Sequence, residues 1–131
     1  MNPSNQGFIA LMGVLIAGAL GVAAILAIIQ LGTEYTQVAL SYQNEQRAKA
    51  YAHSCAEEGL ARIRALLTYT GTVNMNHQYG SCSALVINTG GVARTIDSSG
   101  SVGTIVKRVK VLVSALNPQI TVSSWQEVSA F

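Results

Sequence analysis

The chain is polar for a few residues, then apolar on every face, then apolar on one side only. Phe8–Leu31 runs for 24 residues without a charged side chain, and the first charge anywhere is Glu34. As a helix that run rises about 36 Å, enough to cross a hydrocarbon core of about 30 Å with some tilt. Beyond Gly32 the apolar positions recur at intervals of three and four: Tyr35, Val38, Tyr42, Ala48, Ala52, Cys55, Ala56, Gly59, Ile63, Leu66 and Leu67. Glu45, Lys49, Glu57, Arg62 and Arg64 fall mainly between them, the pattern of a helix with one buried face. No proline interrupts residues 4–117. The pattern predicts one nearly continuous helix over residues 8–67, about 90 Å long, with a membrane-spanning half (8–31) and an amphipathic stem (32–67).

The second half of the chain, residues 68–131, changes period. TYTGTVNMNHQYGSC (68–82) is rich in turn formers and reads as a loop. SALVINTGG, VARTIDSSGS, VGTIVKRVKVLVSA and QITVSSWQEVS follow, rich in Val, Ile and Thr and separated by NTGG, SSGSVG and LNPQ. These segments predict an antiparallel meander of about four strands. In VKRVKVLV, Val109, Val111 and Val113 share one face while Arg108 and Lys110 take the other. One sheet face can therefore cover the stem and the other can meet water. The expected fold class is α+β, a long N-terminal helix packed through its C-terminal half on a small β head.

Composition narrows the functional classes. A formal net charge of +2 is too small to argue for a nucleic-acid protein. A secretory signal would need an apolar core of about 7–15 residues behind a basic flank, and MNPSNQ has no Lys or Arg. Arg47 and Lys49 are the first basic residues after the span and, counted alone, favour a cytoplasmic C-terminal part. Cys55 lies on the apolar stripe of the stem and Cys82 just before the first expected strand. A bridge between them would tie helix to sheet in a head of about 60 residues, too small for a comfortable core. Two buried free thiols are the alternative.

The junction Gln6-Gly7-Phe8, the apolar span and the continuing stem resemble the N-terminal region of a type IV pilin. YAHSCAEEGLARI (51–63) is similar to the stem segment that closes the long helix in certain minor pilins. The resemblance implies a leader of residues 1–7, cut after Gly7 by a membrane-embedded prepilin peptidase that methylates the new amine of Phe8. It implies insertion in the cytoplasmic membrane with an extracytoplasmic C-terminus, leader recognition outweighing the charge bias. Partners implied are membrane lipid before assembly, other pilin subunits in a homo- or hetero-filament at the cell surface, and a pilus assembly platform. Gly13, Gly18 and Gly21, with alanines around them, would let helices approach closely. The fifth residue after the cut is Met12, where most major pilins carry Glu. Some minor pilins and the large minor pseudopilin of type II secretion also lack that Glu, so Met12 favours a minor or tip subunit. The absence of Lys or Arg from the leader is a second departure from the family pattern.

No catalytic constellation emerges, and no cofactor or metal is expected. His53 and Cys55 are two residues apart and do not share a helix face, and His53 with Glu57 reads as a surface pair. His77 falls in the expected loop without a carboxylate nearby, and Asp97 reads as a turn residue. A metal site built from Cys55, Cys82, His53 and His77 is disfavoured. Lys107, Arg108 and Lys110 are the candidates for contact with DNA or another polyanion, against the plainer reading that they keep a strand soluble. Glu58 and Arg62 have the spacing of a surface helix pair, Trp125 reads as a core residue, and Tyr35 and Tyr42 as interfacial anchors. Two functional readings result: a processed filament subunit, or a permanently anchored extracytoplasmic binding or signalling module left uncut at Gly7.

Overall fold

One α-helix, α1 (Pro3–Ala65), takes up the first half of the chain. It begins with proline, whose fixed φ suits a first helical turn, and contains no other proline to break it. The structure, a computed structural model, describes the backbone of residues 3–131 and side chains from Gln6 onward. Met1 and Asn2 of the expected leader lie outside the described residues. The helix starts before the expected residue 8 and stops at Ala65 instead of residue 67. Leu66 N donates to the Arg62 carbonyl and Tyr69 N to the Leu66 carbonyl, closing the last turn before β-branched Thr68 and Thr70 lead the chain out.

The chain divides into two compact units, Met1–Leu40 and Ser41–Phe131. In the first, every described side chain is exposed, including fourteen large apolar ones between Phe8 and Leu31. The helix is long and apolar enough to cross a membrane.

In the second unit the remainder of α1 packs on a five-stranded antiparallel sheet in simple meander order. The strands are β1 (Gly71–His77), β2 (Gly80–Gly90), β3 (Ala93–Val102), β4 (Ile105–Ala115) and β5 (Thr121–Val128). The count is five, not about four, because residues 68–82 hold a hairpin where the sequence reads as a loop. Val73 and Met75 alternate with exposed Asn74 and Asn76, and the hairpin reverses at Gln78 and Tyr79. Asparagine on the solvent face disguises a strand.

The seam between α1 and the sheet is built from small residues. Ala48, Ala52, Cys55, Ala56, Leu60 and Ile63 are buried on the helix, facing Cys82, Ala84, Val86, Ile96, Val109, Val111 and Val113. The run Ser98-Ser99-Gly100, which reads as a turn, lies inside β3. The reason is proximity: a Cβ on Gly100 would sit 2.1 Å from the Ala48 carbonyl oxygen and 2.5 Å from Ala52 N. Ser98 Oγ donates to the Ala52 carbonyl at 2.6 Å, so a buried hydroxyl is satisfied where the helix touches the strand. Small side chains here let two backbones meet at close-packed density.

Candidate functional site

The first unit presents the apolar helix face. Gly7 and Phe8 lie inside α1, so the candidate cut falls within a helical stretch. Phe8 is 62% exposed and Met12, at the fifth position beyond Gly7, 46% exposed. A Cβ added at Gly13, Gly18 or Gly21 would meet nothing within 4 Å, so these glycines leave open space on the helix surface. At about 100° per residue Gly13, Ala17 and Gly21 fall on one side of the helix, with Gly18 displaced around it. The glycines thus widen the strip of small residues and do not all lie on one line.

In the second unit Cys55 and Cys82 are joined in a disulfide, with Cα atoms 6.0 Å apart. It fastens the buried stripe of α1 to β2 at the level of Met75 in β1. Beside it, Tyr51 stacks on His77 with ring centroids 4.2 Å apart, and the Arg47 guanidinium lies 4.4 Å from the centre of the Tyr79 ring. His77 Nε2 stands 3.6 Å from Cys82 Sγ. The β1–β2 hairpin is therefore held on the stem covalently and by two ring contacts. Among the described residues no three His, Cys, Asp or Glu side chains gather as a metal cage.

On the other side of the stem, β5 is attached by two polar contacts. Trp125 Nε1 donates to His53 Nδ1 at 2.9 Å, the two ring planes nearly parallel, and Lys49 Nζ meets Glu127 Oε2 at 3.0 Å. His53 thus contacts Trp125 of the sheet, a partner distant in sequence, where the sequence suggested a surface pair with Glu57.

The three basic candidates do not make one patch. Lys107 shares the face of buried Val109 and pairs with Glu45 of the stem. Its hydrogen bond to that carboxylate raises the Lys107 pKa above its ordinary value. Arg108 and Lys110 point to the opposite face. There Arg108 Nη1 donates to the Ser129 carbonyl at 3.0 Å, and Lys110 Nζ lies 3.6 Å from Asp97 Oδ1. Asp97 is a strand residue that answers Lys110 across the β3–β4 ladder, not a turn residue. On the stem surface Arg62 Nε donates to Glu58 Oε1 at 2.8 Å, and that hydrogen bond raises the Arg62 pKa.

Arg94 has a structural role that local pattern hardly signals. It is 5% exposed, on an inward position of β3, and has no carboxylate partner among the described residues. Its Nη1 donates to Asn88 Oδ1 and to the Gly91 and Ala93 carbonyls, and Nη2 to the Leu67 carbonyl at 3.1 Å. The guanidinium closes the β2–β3 turn and caps the chain where it leaves α1. A cation at an inward strand position was the only signal available. The face of the sheet away from α1 carries Asn74, Asn76, Ser81, Ser83, Ser99 and Ser101 around a shallow pocket of about 340 Å³. A comparison with protein-family models, with curated proteins and with solved structures returned no match to this chain.

Proposed function

We propose that the chain is a structural subunit of a type IV pilus-like filament or secretion pseudopilus, of the minor or tip kind. In this reading it enters the cytoplasmic membrane through residues 8–31, is cut after Gly7 with methylation of Phe8, and assembles by packing of its N-terminal helix. The observation that carries the proposal is the exposure of α1 from Gln6 to Gln43, including the fourteen large apolar side chains before Gly32. Burying one such side chain is worth about 1.5–3 kcal/mol, so tens of kcal/mol depend on what surrounds this segment. Lipid can supply that burial before assembly and like helices after it, and a helix satisfies its own backbone in either setting.

The head suits a filament subunit because its strength is directed at holding the stem. The disulfide, the Gly100 contact, Arg94 and the β5 contacts all fix α1 to the sheet, so force on the stem is transmitted to a crosslinked head. Gly7 favours cutting: glycine weakens a helix by about 1 kcal/mol relative to alanine and lets an extended backbone enter a narrow active site. Met12 removes the buried carboxylate that would pair with a neighbour's terminal amine, which favours a subunit placed without that pairing.

The test is made in the organism that produces the chain. Deleting the prepilin peptidase should leave the chain seven residues longer and confined to membranes, absent from the sheared surface-filament or pseudopilus fraction. An unchanged chain length and distribution after that deletion would leave the anchored, unprocessed module as the better reading.

A further inference from the structure

Two histidines touch the stem–sheet seam, and they differ in what their contacts require. His77 meets a ring face and a sulfur, contacts open to either protonation state. His53 accepts a hydrogen bond at Nδ1 from the indole of Trp125. An indole N–H only donates, so Nδ1 must carry a lone pair and the imidazole must be neutral with its proton on Nε2. Protonation turns the acceptor into a second donor and sets two N–H groups against each other. We propose that His53–Trp125 is an acid-released latch that holds edge strand β5 on the stem and lets it go when His53 takes a proton.

The setting makes the latch matter. β5 is an outer strand, paired on one side only with β4, and the β4–β5 register slips at Leu112–Ala115. Its polar attachments to α1 are the Trp125 bond and the exposed Lys49–Glu127 pair, beside the packing of the Trp125 ring on the core, and exposed pairs contribute little. The groups around His53 come from three elements. On α1 they are Lys49 and Glu57, one turn before and one turn after it, and Arg64 further along the groove beside Trp125. From β5 comes Glu127; on β4 Val111 and Val109 pair with Trp125 and Glu127, and the cation Lys107 follows on that same face. Carboxylates and cations both stand on the elements around the bond, so the neighbouring charge is mixed in sign.

The sign follows from the bond. Stability tied to the latch is present while His53 is neutral and is lost as acid protonates it. Release leaves Trp125 and the groove formed with Glu57, Leu60 and Arg64 open to solvent. The inference stands on the head alone and is independent of the filament reading.

Trp125 is the only tryptophan in the chain, so its emission reports this site alone. The full chain in detergent is titrated from pH 8 to pH 5.5, a window above the ordinary range of carboxyl groups. Hydrogen exchange is read in parallel over Trp125–Val128. The expected result is a one-proton change in emission, with β5 amides exchanging on the order of tenfold faster at pH 5.5 after correction for intrinsic chemistry. His53→Gln offers a carbonyl acceptor that does not titrate, and should flatten both readouts while keeping β5 protected. His77→Gln should leave the transition in place. Constant emission and constant β5 exchange in wild type overturn the proposal. So does a transition that persists in His53→Gln, or an emission change without faster β5 exchange.

Discussion

Replacing Gly100 with alanine probes the contact on which the head is built. The new Cβ would lie 2.1 Å from the Ala48 carbonyl oxygen and 2.5 Å from Ala52 N, both main-chain atoms of α1. Neither can rotate away, so strand and helix must separate by about an ångström to restore van der Waals distance. That movement loosens the packing of Ala52 and Ala56 and stretches the 2.6 Å bond from Ser98 Oγ to the Ala52 carbonyl. Overpacking of a filled core costs about 1–3 kcal/mol, and loss of one buried hydrogen bond adds about 1 kcal/mol. A total near 3 kcal/mol is a large part of the 5–15 kcal/mol typical of a domain. With a urea slope of about 1.5 kcal/mol/M it lowers the unfolding midpoint by about 2 M. Trp125 emission in urea, with the full chain in detergent, measures the shift. Ser99→Ala, one residue earlier on the opposite face of β3, is the control and should stay within about 0.5 kcal/mol of wild type. If Gly100→Ala also unfolds within that margin, α1 does not rest on Gly100 and the packing described above is wrong.

Other substitutions test other parts of the account. Replacing Cys55 and Cys82 together with serine opens a loop of 27 residues, and the chain-entropy relation gives a loss of about 3.6 kcal/mol in the same urea assay. Arg94→Met removes the donors held by the Leu67, Gly91 and Ala93 carbonyls and should cost about 2–4 kcal/mol, with Arg94→Lys failing to restore it because an ammonium lacks the planar fork. Gly13→Leu with Gly21→Leu fills open space on α1 and should leave urea unfolding of the head unchanged, while depleting the chain from sheared filaments at normal cellular levels.

What could be read from the sequence was what repeats locally. The stem stripe from Ala48 to Ile63 follows the helical period, and the valines of β4 alternate with Arg108 and Lys110 as a half-buried strand should. The Cys55–Cys82 bridge was legible because both cysteines sat where helix and sheet had to meet. β1 was not, since its solvent face is asparagine and its turn residues resemble a loop. Ser98-Ser99-Gly100 reads as a turn in sequence because its smallness answers to a helix backbone across the seam, a contact no local window contains. The His53–Trp125 and Arg94–Leu67 contacts join residues 72 and 27 positions apart, so only the folded chain shows them. Lys107 differs from Arg108 and Lys110 only in strand parity. Position alone divides them between the stem and the outer face.

The central claim is that residues 1–7 are a leader and that the mature chain begins at Phe8. The most direct measurement is mass spectrometry of the N-terminal peptide of the protein purified from its own cells. The account predicts a chain starting at N-methylated Phe8. A chain that still begins MNPSNQG in every mature copy would contradict it.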